Sequence, residues 1–170
     1  MKTFHIDHFT YPLPEGHRFP IPKYALLRER VEREFVPPCE LAVPDAATIE
    51  QLCLVHEAAY IDKVLTGMLS QREVRRIGFP WSPELVERSR RSVGSTIAAC
   101  RAALDGATNG STGVAVSLTG GTHHAFRDRG EGFCVFNDAA VAARAMQAEG
   151  RAGRILVVDC DVHQGNGTAS

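Results

Sequence analysis

The chain has 170 residues, 19 Lys and Arg against 20 Asp and Glu, and a formal net charge of -1. That length suits one domain with a real core, and the charge balance excludes a global electrostatic field for nucleic acid or an anionic membrane. Five scattered cysteines without a CxxC pair argue against a disulfide framework or a thiolate zinc knuckle. The opening "MKTFHIDHFTYPLPEG" lacks the apolar stretch of a signal peptide, and nowhere do about 18 apolar residues run together. The composition predicts a soluble cytoplasmic protein.

In chain order, "KTFHID" (2–7) reads as an opening strand. "YPLPEGHRFPIPKY" carries four prolines in fourteen residues and reads as a structured loop. "KYALLRERVEREF" spaces Leu26, Leu27, Val31 and Phe35 as the apolar stripe of a helix. Two further helices are predicted within "PDAATIEQLCLVHEAAYIDKVLTGM", with Ile49, Leu52, Cys53, Tyr60, Ile61, Val64 and Leu65 facing inward. The clearest helix follows: Ser82 as N-cap, Pro83 at the first position, Glu84 in the first turn, a buried stripe of Val86, Val93, Ile97, Cys100 and Leu104, and Gly106 near its end. "GVAVSL" (113–118) reads as a strand. "NDAAVAARAMQAEG" reads as a helix capped by Asn137 or Asp138 and closed by Gly150. "RILVVDCDVH" carries the continuous apolar run Ile155 to Val158 expected of a central parallel strand covered on both faces.

Strands alternating with helices predict an α/β domain with a mostly parallel sheet, whose strand ends gather functional groups. Two segments deliver polar residues to that edge. "GGTHHAFRDRGEGFCVFND" sets His123 and His124 side by side on a glycine-rich loop. "DCDVHQGNGT" spaces Asp159, Asp161 and His163 two apart, on one face while the strand persists. A carboxylate and an imidazole there suit a divalent metal such as zinc. A two-metal DxHxD pattern would need a ligand where Gly165 stands, which favours one metal. The adjacent imidazoles then fit as proton acceptor and electrostatic partner, with Asp159 and Asn166 as candidate orienters. His56 reads as a packing histidine. His5, His8 and His17 flank the proline-rich loop and are weaker candidates for touching substrate.

These two segments, with "GHRFPIPKY", "LVHEAAYIDKV" and "GFPWSPELVERSRRSVGSTIAA", resemble the histone deacetylase superfamily, and the "GFPWS" and "DVHQGNG" wording resembles its bacterial, class IV-like members. The resemblance implies a three-layer α/β/α fold of the arginase/deacetylase type and zinc-dependent hydrolysis of acetyl-lysine or a similar acylated amine. By motif position it makes Asp161 and His163 zinc ligands, His124 the general base and acid, and His123 its electrostatic helper. It makes Asp159 the orienter of His123 and Asn166 that of His124. Gly132 and Phe133 would line the acyl-lysine tunnel, with Cys134 near its floor. Main-chain oxygens of Asp159, Asp161 and His163 would hold a monovalent cation, usually potassium. No nucleic acid or membrane partner is implied. Some branches place Asp at position 166, and the neutral Asn here stabilises an imidazolium less than a carboxylate would. The family also takes a third zinc ligand, an Asp, and a transition-state Tyr from segments downstream of "HQGNGT". Residues 1–170 are therefore expected to form the N-terminal portion of such a domain, its sheet incomplete on the C-terminal side and the isolated chain inactive. The rival expectation is a non-catalytic regulatory module that keeps the fold.

Overall fold

The computed structural model describes every residue of the chain except positions 36 and 111. Three short strands, β1 (Lys2–Phe4), β2 (Glu40–Ala42) and β3 (Ala115–Ser117), form a parallel sheet in the order β2-β1-β3. Lys2 stands opposite Glu40 on one side and Ala115 on the other. All three strands therefore point their carboxyl ends to one edge, as the α/β reading requires. β2 was not foreseen: three residues after a Pro-Pro turn carry too little pattern to identify a strand.

The helices are α1 (Lys23–Phe35), α2 (Ile49–Leu52), α3 (Ala58–Thr66), α4 (Gln71–Ile77), α5 (Pro83–Thr108), α6 (Asp138–Ala148) and α7 (Asn166–Ala169). α5 begins as predicted, with Ser82 Oγ accepting from Leu85 N at 3.1 Å and Pro83 in the first turn. It runs through Gly106 to Thr108, because a single glycine inside a long helix weakens it without ending it. α5 lies across β1 and β3 and packs on α6, burying Val93 and Ile97 against Val141, Ala145 and Met146. Cys100 and Leu104, farther along its stripe, are only partly buried. Burying one such aliphatic side chain contributes about 1.5–3 kcal/mol, so this two-helix seam anchors the sheet. α4 lacks a long apolar stripe. Its signal was a capping box, in which Ser70 Oγ accepts from Glu73 N while a Glu73 carboxylate oxygen accepts from Ser70 N at 2.7 Å.

Three sequence expectations are corrected. α1 forms, but its stripe faces outward: Leu26, Leu27 and Phe35 are exposed and the helix buries no residue. Its hold on the rest includes the ion pair of Arg28 Nε with Asp7 Oδ2 at 2.9 Å. Ile49 and Cys53 are likewise exposed while Leu52 between them is fully buried. The third correction concerns Ile155 to Val158, which is extended but joins no sheet. A strand needs a neighbour for its main-chain donors and acceptors, and none of the described residues lies alongside. Ile155, Leu156 and Val157 border a groove against α5 and α6, and all four residues of the run are exposed, Leu156 and Val158 most.

Candidate active site

The loop that follows β3 is positioned from behind by buried polar groups. The sequence left the cap of α6 open between Asn137 and Asp138, and the two take different roles. Asn137 is the N-cap of α6, its Oδ1 accepting from Ala140 N at 3.0 Å. Asp138 turns the other way, its carboxylate accepting from Thr122 N at 2.7 Å, Thr122 Oγ1 at 2.6 Å, Thr96 Oγ1 at 2.6 Å and Gly121 N at 3.3 Å. A buried carboxylate is tolerated only with such donors, and here all but Thr96 are the backbone and threonine immediately before the histidine pair. The sequence reading treated Asp138 only as a possible cap; its signal was the run of small donors in "GGT".

His56, read as a packing histidine, is one. It is 3% exposed, and burial pushes its pKa down. Its Nε2 accepts from Asn137 N at 3.0 Å, so Nδ1 carries the proton donated to Phe126 O at 2.9 Å. Asn137 Nδ2 in turn donates to Ala125 O and to Thr168 Oγ1. The start of α6 thereby fastens both the histidine loop and the chain's last short helix.

The two polar segments meet as predicted. His123 Nδ1 lies 2.6 Å from Asp159 Oδ2, and His124 Nδ1 lies 2.7 Å from Asn166 Oδ1. The same Asn166 oxygen accepts from Gly167 N at 3.1 Å, which identifies it as oxygen. Both imidazoles therefore donate through Nδ1, and neutral His124 keeps the lone pair of Nε2 free. Their rings are 4.2 Å apart, and His163 stands edge-on to His124 at 6.0 Å. The hydrogen bond from His123 holds the Asp159 carboxyl below its ordinary range.

Residues 159–163 do not form the strand face the spacing suggested. Asp161 Oδ2 accepts from His163 N at 2.7 Å and meets His163 Nδ1 at 2.8 Å, a local turn that brings the two donors together. The His163 main-chain N–H, then its ring, lowers the Asp161 pKa. Carboxylate oxygen and imidazole nitrogen converging on one wall fit a zinc-type ion as two of its ligands. Among the described residues no third donor joins them; three donors gather elsewhere, at His5, Asp7 and His8. Gly165 has a physical reason besides offering no ligand: a Cβ there would lie 2.5 Å from Asp159 Oδ2.

His123, His124, Asp161 and His163 line a cleft of about 520 Å³ together with Gly132, Phe133 and Cys134, so the residues expected to contact substrate reach the same space. Gly132 and Phe133 both adopt left-handed φ, +56° and +67°. The strain at Phe133 is held by Phe133 N donating to Ile77 O at 2.7 Å and Gly132 N to Arg76 O at 3.1 Å. A side chain on Gly132 would strike His124 Cδ2 at 2.8 Å. Phe133 packs among Phe79, Phe19 and His17. Cys134 is buried with its pKa raised to about 11 by desolvation, which makes it a wall rather than a nucleophile. His17 buttresses that wall by bonding to Gly78 O at 2.9 Å. None of His5, His8 and His17 lines the cleft. Sequence reasoning missed Arg18, Lys23 and Tyr24, which do.

The α/β fold thus sets paired, Nδ1-tethered histidines facing an Asp–His donor pair. Residues 17–170 match the histone deacetylase domain, and the chain belongs to that family. It is 44% identical over 168 residues to an uncharacterized protein of Picosynechococcus, covering 98% of this chain and 54% of that one. It is 35% identical to the acetoin utilization protein AcuC of Bacillus subtilis, covering 75% of this chain and 34% of AcuC. The rat polyamine deacetylase HDAC10 is also 35% identical, over 76% of this chain and 22% of HDAC10. Among solved structures, an HDAC homolog complexed with SAHA superposes with a TM-score of 0.73 at 27% identity, covering 98% of this chain and 45% of that one. The HDA15 HD domain, at 23% identity and a TM-score of 0.78, shares the fold. The chain spans about half the length of its Picosynechococcus relative and of these structures.

Proposed function

We propose that this chain supplies the histidine pair and two metal ligands of a zinc-dependent deacetylase, acting on acetyl-lysine in proteins or on a similar acylated amine. The observation that carries the reading is the convergence on one cleft of His124, its Nε2 free, with Asp161 and His163. Asp161 and His163 are the donors that would hold zinc, which when bound supplies Lewis-acid polarisation of the acyl oxygen and acidifies water.

The chain's own residues do the rest. His124 accepts the water's proton at Nε2, and Asn166 fixes the tautomer that makes this possible. The same proton then passes to the departing amine. His123, whose Nδ1 proton is held by the Asp159 carboxylate, is oriented as the electrostatic partner beside the developing charge. Phe133 and Gly132 guide the acyl-lysine stem, and the buried Cys134 closes one wall.

Residues 1–170 are proposed as the N-terminal portion of one deacetylase domain. Their five free thiols support a cytoplasmic setting, and among the described residues no helix is long and apolar enough to cross a membrane. Among those residues no N–H donates to the main-chain oxygens of Asp159, Asp161 or His163, which supports them as the potassium site. The alternative reading is a non-catalytic module that keeps the fold.

The test is hydrolysis of a fluorogenic acetyl-lysine peptide by the zinc-loaded protein carrying the complete domain, with metal content measured in parallel. His124→Ala should lose roughly 10²- to 10⁴-fold in kcat while retaining zinc, and Asp161→Ala should lose the metal. Normal turnover by His124→Ala would refute the assignment of the base. Zinc-loaded protein with no turnover would favour the non-catalytic module.

A further inference from the structure

Two cations line the cleft without a carboxylate partner. Arg18 lies over the face of Phe133 at 5.0 Å, and Lys23 lies over Phe19 at 4.7 Å and Tyr24 at 5.0 Å. Among the described residues neither forms a salt bridge, although Arg28, one turn beyond Lys23 on α1, engages Asp7, Glu29 and Glu32. The aromatic faces hold the two cations in place while leaving their charge uncancelled. α1 also begins at Lys23 with no acidic residue in its first turn, so the positive end of its dipole adds to the same region.

A third cation stands behind them. Arg88 is 6% exposed, donates to Ile6 O at 2.9 Å and Phe9 O at 2.8 Å, and stacks on Tyr24 at 4.2 Å. It too forms no salt bridge among the described residues. The carboxylates nearest the reacting groups are already engaged, Asp161 with His163 and Asp159 with His123. Besides Asp161, which the proposed function gives to the metal, no carboxylate lines the described cleft wall, whereas a substrate carboxylate would meet two cations that form no salt bridge among the described residues.

We propose that the cleft selects acylated amines that carry a carboxylate near the scissile amide, bound by Arg18 and Lys23, and discriminates against acylated polyamines. The proposal rests on the deacetylase reading for its chemistry, but the charge pattern makes a separate claim about binding. Two unit charges about 6 Å from a substrate carboxylate, at the dielectric of water, raise its affinity by about tenfold at low ionic strength.

The experiment compares acetyl-lysine peptides flanked by Glu, by Gln or by Lys, together with N-acetylspermidine, on the zinc-loaded protein carrying the complete domain. It reads kcat/KM by amine release and Kd by fluorescence anisotropy with labelled peptides. Free Nε-acetyl-lysine against its α-amide separates a small carboxylate substrate from an acidic peptide. The Glu-flanked peptide should exceed the Gln-flanked one about tenfold at low salt, and the Lys-flanked peptide should fall below both. The Glu preference should shrink toward unity in the double variant Arg18→Gln, Lys23→Gln and at high salt, and reverse in Arg18→Glu, Lys23→Glu. Hydrolysis with no charge preference, or with N-acetylspermidine preferred, would overturn the proposal and leave the deacetylase reading standing. Charge-selective binding without hydrolysis would overturn the deacetylase reading and leave the charge selection standing. Should neither binding nor hydrolysis be detected, both fall.

Discussion

Asp138→Ala tests whether the histidine loop is held from behind. The carboxylate is 3% exposed and accepts four hydrogen bonds. Two of the donors are hydroxyls with other acceptors in reach, Thr122 Oγ1 with Phe136 O at 2.6 Å and Thr96 Oγ1 with Ser92 O at 3.5 Å. The other two, Gly121 N and Thr122 N, have no alternative acceptor among the described residues. Gly121 is exposed and its N–H can turn to water, so the cost falls mainly on the half-buried Thr122 N, at about 2 kcal/mol. At a urea slope of about 2 kcal/mol per molar, the midpoint should fall by about 1 M. Asp138→Asn keeps one acceptor oxygen and should fall by less. Urea unfolding followed by circular dichroism reads the midpoint directly. A shift for Asp138→Ala under about 0.5 M, or about 1 kcal/mol at the same slope, would show that the loop is anchored elsewhere.

The remaining predictions use the same logic at two other positions. Gly165→Ala places a methyl 2.5 Å from Asp159 Oδ2, so it should pry Asp159 from His123 and lower kcat with little change in unfolding midpoint; a stable variant with wild-type kcat refutes the close-approach argument. His56 is neutral in the fold with its pKa pushed below the ordinary 6.5 by burial, so its contribution is full above pH 6.5 and is lost as pH falls from there through the depressed value. The fall in urea midpoint between pH 7.5 and 5.5 should therefore be smaller in His56→Gln than in the parent, and equal slopes would refute the neutral-histidine assignment.

What the sequence made legible were the features written in local chemistry. Ser82-Pro83-Glu84 announces α5 because a cap and a fixed φ act within one turn. The paired histidines and the Asp159, Asp161, His163 spacing announce the site because residue type alone limits what such groups can do. That Ile155 to Val158 finds no sheet partner among the described residues was not legible in the same way. The composition of that run suits burial on two faces, but a ladder is made by neighbours, and the composition says nothing of where those neighbours lie. The outward stripe of α1 repeats the point, since periodicity shows that a face is apolar without showing what covers it. Arg18 and Lys23 escaped for a third reason: exposed cations are common, and only the cleft geometry separates these two from a solvated surface.

The site's two halves are held by unequal means, and this bears on how it assembles. The histidine loop is fixed to the core through Asp138, Asn137 and His56, all nearly inaccessible to solvent. Residues 159–169 reach the same place through Thr168 Oγ1 on Asn137 Nδ2, Thr168 N on His123 O, and the two imidazole contacts themselves. Asp161 and His163 remain exposed. The imidazoles therefore orient the ligand-bearing segment as much as that segment orients them. A metal bound at Asp161 and His163 would draw its rigidity from the histidine loop, and the proposed proton transfer and metal holding would then depend on one set of hydrogen bonds. A substitution at Asp138, which touches neither group, should accordingly weaken both.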